Sequence, residues 1–375
     1  MKNSILKYQL IFLALLLAIP AVFRVFHLAA SPLNGYKEAY EKPPLTWAGW
    51  LDGSFQVRAE NYASQEFGLR SQIIRFNNEW QYRLYRKANA SDVVVMKHGY
   101  LNSRVYIESF LGKNYIGDAD VEKRASRLFA LQQRLKSINK ELIVIIAPGK
   151  ASYYSEYIPA RYFPANSKNN YRELRKAYLA HGVQLLDFNQ LFLGMKDTSR
   201  YVLYPKTGIH WSEYGQALMA DTLISYVEQL TGKDLPDLKI THLELSPVPK
   251  GTDDDIEKGL NLLCRIPNDT LAYPSVAFDT VGKDRLRLLV VGDSFYWQMY
   301  GMGLSREAFG DGQFLYYGRE INPRPTVGPV ETTDMDLAAL MGSYDGLVLM
   351  ATESNLADFA WGFDRRLLEA LQAGE

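Results

Sequence analysis

The sequence has 375 residues, of which 47% are hydrophobic, and its 42 basic and 42 acidic side chains give a formal net charge of zero. A chain of this length can bury a large core, and the balanced charge excludes an overall field that would attract nucleic acid. The single cysteine, Cys264, excludes an internal disulfide framework and a cysteine-based metal cluster. No cofactor and no metal site are predicted.

The first thirty residues predict a membrane segment. Lys2 and Lys7 precede a loosely apolar run from Tyr8 to Ala30. This run reaches the roughly 20 residues that are needed to span a bilayer. We therefore predict an uncleaved signal anchor over residues 1–30, and the alternative is a signal peptide cleaved near Leu28-Ala29-Ala30. Either way, the basic N-terminus stays cytoplasmic and the body faces outward. With the anchor uncleaved, the expectation is a single-pass protein of a bacterial inner membrane whose body faces the periplasm or the outside.

Residues 31–90 predict a linker followed by an aromatic helical stretch. The segment from Ser31 to Pro44 has no periodic spacing of apolar residues and contains prolines, as linkers often do. From Trp47 to Tyr85 the sequence is amphipathic and rich in aromatic side chains, much of it with helical spacing.

Residues 91–375 predict an α/β domain with a mainly parallel sheet flanked by helices, because apolar strand-like runs alternate with helical periodicity. An irregular, proline-rich insertion is predicted at about residues 234–284. Its acidic run, Asp253-Asp254-Asp255, lacks the spaced ligand pattern of a calcium loop and predicts a solvated charge run. The strands are predicted at 142–147, 183–186, 286–291, 314–317 and 347–350, and the helices at 128–138, 170–180, 213–231 and a C-terminal segment ending near 371.

A candidate nucleophile lies where one buried strand is followed by a helix. Ser294, in the turn Gly292-Asp293-Ser294-Phe295, would be raised above the end of the sheet, with the N–H groups of the helix start directed at a developing oxyanion. This placement favours acyl transfer. The alternative is an ordinary turn whose serine caps the helix.

A candidate base precedes that serine in the chain. Of the five histidines, His210 lies in a loop that begins a helix, within Gly208-Ile209-His210-Trp211-Ser212. A side chain in such a loop can be held at the edge of the sheet. The alternative is a histidine at a helix start that only bonds to the backbone.

The order of these features resembles the AlgX/AlgJ family of SGNH-hydrolase-like proteins, in which the histidine motif precedes the serine motif. Family members act with a membrane-bound O-acyltransferase in acetylating exported polysaccharides such as alginate. The resemblance covers most of the chain and rests on the N-terminal anchor, Phe67-Gly68-Leu69-Arg70 with Asn77, 93–101, Ala147-Pro148-Gly149-Lys150 with Tyr157-Ile158-Pro159, His210-Trp211 and Gly292-Asp293-Ser294.

The resemblance implies a Ser-His-Asp site with one departure. It assigns Ser294 as the nucleophile that takes and passes on an acetyl group and His210 as its general base. The family has an aspartate two residues before the histidine, where this sequence has Gly208. Three readings follow: another carboxylate substitutes, the enzyme uses a Ser-His dyad, or the site is inactive. Asp187, after a predicted strand, is the predicted substitute, and its alternative role is a turn or helix cap.

Three further residues are candidates for substrate binding. Arg319 follows a short predicted strand, and the family has a basic residue at a comparable distance after its serine. Tyr300 lies six positions after Ser294, and Lys150 ends a predicted strand. Each has an ordinary structural role as its alternative.

The predicted function is an extracytoplasmic O-acetyltransferase, or an accessory acetyl-transfer subunit, acting on an exported polysaccharide. The resemblance implies three partners: a membrane-bound O-acyltransferase, the polysaccharide, and the cell membrane through the N-terminal helix. The alternatives are a non-catalytic glycan-binding or scaffolding partner of the acyltransferase, which Gly208 favours, and a carbohydrate acyl esterase.

Overall fold

The structure is a computed structural model that describes residues 2–26, 32–35, 41–326, 328–333 and 335–373. The predicted cleavage site and part of the predicted linker, at residues 27–31 and 36–40, lie outside the described residues.

Helices and strands alternate through most of the chain. The helices are α1 (Lys2–Val25), α2 (Trp47–Leu51), α3 (Ser54–Gln65), α4 (Arg70–Tyr85), α5 (Arg104–Phe110), α6 (Asp118–Ser137), α7 (Lys150–Tyr153), α8 (Asn170–His181), α9 (Phe188–Met195), α10 (Glu213–Thr231), α11 (Asp255–Leu260), α12 (Tyr296–Gly301), α13 (Leu337–Gly342) and α14 (Phe363–Ala373). The strands are β1 (Val93–Val95), β2 (Leu101–Ser103), β3 (Glu141–Ala147), β4 (Leu185–Asp187), β5 (Asp237–Ser246), β6 (Leu271–Asp279), β7 (Leu288–Gly292), β8 (Phe314–Tyr316), β9 (Glu320–Asn322) and β10 (Gly346–Thr352).

The chain divides into two compact units. The first comprises Met1–Ser91 and Ile256–Ile266, and the second comprises Asp92–Asp255 and Pro267–Glu375. The region predicted as one insertion, residues 234–284, is therefore shared between the two units.

The first unit is helical in its described part, with α1 to α4. Hydrogen bonds join its two chain segments: the Asn78 side chain donates to the Leu260 carbonyl at 2.8 Å, and Glu79 accepts from the N–H groups of Leu263 and Cys264. Over the ranges that the structure describes, no helix has both the length and the apolar character needed to cross a membrane. The anchor over residues 1–30 stays a prediction.

The second unit is built on a six-stranded mixed sheet with the order β4-β3-β10-β7-β8-β9. The first five strands are parallel, and β9 pairs antiparallel with β8. The predicted mainly parallel sheet is confirmed, and all five predicted strands are present with their ends moved by a few residues.

The prediction of an irregular excursion at residues 234–284 is wrong for its two ends. There β5 and β6 form a long antiparallel pair, from Asp237 opposite Asp279 to Ser246 opposite Leu271. The apolar alternation of β5 changes phase at a bulge between Ile240 and His242, which obscures the strand in the sequence, and β6 contains Pro274.

Both faces of the central sheet are buried. Along β3, Ile143 and Ile145 pack in one core with α10 and α12, whereas Leu142, Val144 and Ile146 pack in the other with α6, α8 and α14. Burial on both faces explains why these strands appear in the sequence as continuous apolar runs. The carboxyl ends of β3, β10 and β7 consequently meet at one edge of the sheet.

Candidate active site

Ser294 lies in the turn between β7 and α12, and the carboxylate of Asp293 fixes that turn. Asp293 is fully buried. Its Oδ1 accepts from the N–H of Phe295 at 3.1 Å, and its Oδ2 accepts from the N–H of Thr352 at 2.7 Å and from Asn355 Nδ2 at 2.8 Å. The turn that carries Ser294 is thereby tied to the end of the neighbouring strand β10.

The sequence predicts that the N–H groups at the start of α12 are directed at a developing oxyanion. The structure shows that they are not. The Phe295 N–H bonds the Asp293 carboxylate, and the Tyr296 N–H bonds the Asp293 carbonyl at 3.1 Å. Asp293 therefore satisfies the donors that the prediction assigned to the substrate.

His210 contacts the serine directly. Its Nε2 lies 3.0 Å from Ser294 Oγ, although 84 residues separate the two along the chain. The imidazole packs against the Phe295 ring at 4.9 Å between centroids, and the buried Trp211 packs against the same ring at 5.4 Å. Ser212 caps the helix that follows: its Oγ accepts from the Gly215 N–H at 3.1 Å and so fixes where α10 begins.

The other ring nitrogen of His210 bonds a carboxylate that sequence reasoning did not find. Asp255 Oδ2 lies 2.7 Å from His210 Nδ1, and Asp255 Oδ1 accepts from the Ile209 N–H at 2.8 Å. A carboxylate at Nδ1 stabilises the tautomer with its proton on Nδ1, which leaves Nε2 free to accept the serine proton. The three residues have the geometry of a Ser-His-Asp triad.

The prediction of a solvated run at Asp253-Asp254-Asp255 is wrong. Asp253 is fully buried, Asp254 is 2% exposed, and Asp255 is bonded to the histidine. Three adjacent acids usually lie in solvent, but this segment covers the loop that carries His210. Burial raises the pKa of Asp253 to about 7, and the nearby Tyr273 hydroxyl acts to lower it.

Gly208 is the residue that allows this segment to approach. A Cβ at position 208 would lie 2.6 Å from the Thr252 carbonyl oxygen and 2.7 Å from that of Asp253. Atoms do not approach so closely, so an aspartate at position 208 would displace the backbone that leads to Asp255. The glycine that stands where the family has an aspartate is therefore also the residue that allows Asp255 to supply the carboxylate.

The structure does not bring Asp187 to the histidine, which corrects the prediction of this residue as the substitute. Asp187 caps α9 through the Gln190 N–H at 2.9 Å and pairs with Arg175 at 2.6 Å. Tyr171 adds a hydrogen bond at 3.0 Å. Its alternative role, a helix cap, is the one observed.

Lys150 is also not placed to contact substrate, because its side chain is fully buried. Its Nζ donates to the carbonyls of Lys206, at 3.1 Å, and of Gly208. Burial lowers the pKa of Lys150 to about 7, while Asp255 and Asp253 act to raise it. Lys150 holds the loop that carries His210.

The other two substrate candidates contact neither Ser294 nor His210 through any hydrogen bond or ring contact seen in the described residues. Tyr300 lies in α12 and packs against Trp297 at 5.7 Å. Arg319 lies in the turn between β8 and β9, where it is largely exposed and pairs with Glu331 at 2.8 Å. Their roles in substrate binding stay predictions.

Asp255 could not have been found by spacing from the histidine motif, because it follows His210 by 45 residues. The sequence held one indirect signal: Gly208 implied that a carboxylate had to come from elsewhere. In the parts of the chain described, no group of three or more histidine, cysteine or acidic residues is arranged to hold a metal ion.

Comparison with protein-family models finds a match in the middle of the chain. Residues 106–276 match the SGNH hydrolase-like domain of acetyltransferase AlgX. This segment is therefore similar to that domain, and the predicted resemblance is confirmed. The matched segment contains His210 and Asp255, and Ser294 lies beyond its end.

Three of the solved structures that the chain resembles have low sequence identity and TM-scores below 0.5. The O-acetyltransferase domain of Pseudomonas putida AlgJ is 17% identical, with a TM-score of 0.49, over 76% of this chain and 99% of that one. Pseudomonas aeruginosa AlgX is 19% identical, with a TM-score of 0.46, over 75% and 67%. Bacillus cereus PatB1 with a sulfonyl adduct is 12% identical, with a TM-score of 0.46, over 66% and 93%. No curated protein sequence matches the chain.

Proposed function

We propose that this protein is an O-acetyltransferase that moves an acetyl group to a hydroxyl of an exported polysaccharide. The observation that carries the proposal is the hydrogen-bonded series from Ser294 Oγ to His210 Nε2, at 3.0 Å, and from His210 Nδ1 to Asp255, at 2.7 Å. The description of the matching family as an acetyltransferase supports the choice of acyl group.

In the first half-reaction, Ser294 Oγ attacks the carbonyl carbon of the acetyl donor while its proton passes to His210 Nε2. Asp255 stabilises the imidazolium that results. When the tetrahedral intermediate collapses, the bond to the donor's leaving oxygen breaks and His210 returns the proton to that oxygen. An acetyl ester on Ser294 and the free donor alcohol remain.

In the second half-reaction, a sugar hydroxyl takes the place of the donor. His210 Nε2 accepts the hydroxyl proton as the sugar oxygen attacks the acetyl carbonyl, and Ser294 leaves and is reprotonated by His210. The acetyl group ends on the sugar, and the enzyme regains its starting state. A water molecule in the place of the sugar would make the same site an esterase.

The oxyanion needs a donor other than the start of α12. We propose the N–H of Ser294 itself as that donor, since the described residues show no acceptor for it.

We further propose that the acetyl group arrives from a membrane-bound O-acyltransferase, and that the N-terminal segment keeps the protein beside it on the outer side of the inner membrane.

Covalent labelling tests the proposal. An activated ester or a sulfonyl fluoride should label the wild-type protein stoichiometrically at Ser294, label Ser294→Ala not at all, and label His210→Ala far more slowly. A wild-type protein that is not labelled would instead support a scaffolding role. Acetyl transfer to an oligosaccharide, measured by mass spectrometry, separates the transferase from an esterase, which would release acetate at the same rate with or without the sugar.

A further inference from the structure

A continuous row of four aromatic side chains lies beside the turn that carries Ser294. Trp297 contacts Tyr316 at 5.5 Å between ring centroids, Tyr316 contacts Tyr317 at 4.3 Å, and Tyr317 contacts Trp361 at 5.0 Å. We call these four residues the aromatic row. They come from α12, from the end of β8 and from the segment after β10.

Backbone hydrogen bonds fix this row relative to the nucleophile. The Trp297 N–H donates to the carbonyl of Ser294 at 3.3 Å, and the Tyr317 N–H donates to the carbonyl of Gly292 at 2.9 Å. Burial raises the pKa of the Tyr317 phenol, with the hydrogen bond to Tyr316 next and the charge of Asp293 a further cause. Two members of the row are thus positioned by the same turn that presents Ser294 Oγ.

Two residues of the row have backbone conformations that are strained for residues other than glycine. Tyr317 and Trp361, whose rings touch, both have positive φ angles, of 53° and 48°, and so does Ala360 at 60°. Residues other than glycine rarely adopt positive φ angles, and those that do are found more often at functional sites. Yet Tyr317 is 38% exposed, and Trp297, Tyr316 and Trp361 are only partly buried.

The chemistry of the row suits a sugar ring. Its side chains carry no charge, and they combine flat apolar rings with phenol and indole groups that donate hydrogen bonds. The nearest charged side chain along the chain, Arg319, is paired with Glu331. A pyranose ring offers the matching surface, with C–H groups on its faces and hydroxyls at its edge.

We propose that Trp297, Tyr316, Tyr317 and Trp361 form the acceptor subsite of the enzyme, which holds a pyranose ring of the polysaccharide beside the acetylated Ser294. This inference rests on the proposed function and extends it to the residues that bind the acceptor. Tyr300, predicted as a substrate contact, supports the row by packing against Trp297.

The test separates the acceptor from the chemistry. Trp361→Ala and Tyr317→Ala are compared with Trp361→Phe, which keeps a ring, and with Trp80→Ala, which removes an exposed tryptophan in the first unit. The burst of nitrophenol from p-nitrophenyl acetate measures acetylation of Ser294. Transfer to two probes, cellopentaose and a mannuronate pentamer, measures use of the acceptor.

We expect the alanine variants to keep the burst and to raise the KM for the pentasaccharide that is used by about tenfold, with Trp361→Phe closer to wild type and Trp80→Ala unchanged. An unchanged KM in both alanine variants would overturn the subsite and leave the proposed function standing. If the wild type shows neither burst nor transfer, the proposed function fails. The subsite is then judged by quenching of tryptophan fluorescence, which the pentasaccharides must cause in wild type and not in Trp361→Ala.

Discussion

A single glycine and a single aspartate account for how this site departs from the pattern of the AlgX/AlgJ family that the sequence resembles. Gly208 leaves room for the backbone of residues 252–253, and that backbone delivers Asp255 to His210 Nδ1. The scaffolding alternative was motivated by Gly208, and the position of Asp255 removes that motive. The contact is local and precise enough to be tested by single substitutions.

Asp255→Asn should lower kcat by about 10³- to 10⁴-fold while the protein stays folded, because an amide at this position favours the wrong histidine tautomer. Steady-state hydrolysis of p-nitrophenyl acetate measures the effect. Asp187→Asn is the matched control and should keep the rate within about twofold, because Asp187 contacts Arg175 and α9 and not His210. A large loss in the control and none in Asp255→Asn would return the role to Asp187.

Adding Gly208→Asp to Asp255→Asn should not restore the rate. The new side chain would restore the family spacing in sequence, but its Cβ would collide with the Thr252 and Asp253 carbonyls. The double variant is therefore expected to be less stable than Asp255→Asn in urea unfolding. Recovery of the rate above that of Asp255→Asn would show that the loop accepts the family arrangement after all.

At the scale of elements, a buried lysine holds the loop before α10 in place. Lys150 begins α7 directly after β3 and bonds two carbonyls of that loop, at Lys206 and Gly208. A buried cation with both acceptors on one loop restrains where His210 can lie. Its effect on the rate acts through His210 and not through contact with substrate.

Lys150→Met should lower the free energy of unfolding by about 2 kcal/mol, since the buried carbonyl of Gly208 and the partly buried carbonyl of Lys206 lose this donor. The rate of Ser294 labelling should fall with it, because the His210 loop loses its support. Lys136→Met, at an exposed position of α6, is the control and should change neither quantity. If Lys150→Met is fully folded under the assay conditions and Ser294 is still labelled at the wild-type rate, the positioning role of Lys150 is contradicted.

Asp253 lies in the segment that covers the loop carrying His210, and its burial predicts that the stability of the protein depends on pH. Burial raises the pKa of Asp253 to about 7, so the folded state binds the proton more tightly than the unfolded state between pH about 4 and 7. The contribution of Asp253 is complete below pH about 4 and is lost as the pH rises through about 7. Urea unfolding across this range should show wild type losing up to about 4 kcal/mol relative to Asp253→Asn. A constant difference between the two proteins would refute the assignment.

At the scale of the whole molecule, the location of the body stays a prediction from the N-terminal charges and apolar run. A phosphatase that is active only after export, fused after residue 375, should be active in cells. A fusion at the same residue to a reporter that is active only in the cytoplasm should be silent, and the reverse pattern would place the body on the wrong side for an exported polysaccharide.

Much of the α/β unit could be predicted because its signals are local. The apolar run Leu142–Ala147 predicts β3, and the helical periodicity of residues 213–231 predicts α10. The β5–β6 pair was missed because a bulge shifts the apolar alternation of β5 between Ile240 and His242, and because β6 contains Pro274. Lys150 was misjudged because its burial depends on a distant loop.

The strands of the central sheet, the turn that presents Ser294 and the loop that carries His210 can all be predicted from the sequence. Each depends on neighbouring residues whose hydrophobicity and turn preferences act over a few positions. The role of Asp255 and the aromatic row become visible only in the folded chain, because their members are far apart in sequence. Asp255 reaches His210 because the backbone of residues 252–253 packs against Gly208, and the row forms because β7, β8 and β10 end at one edge of the sheet.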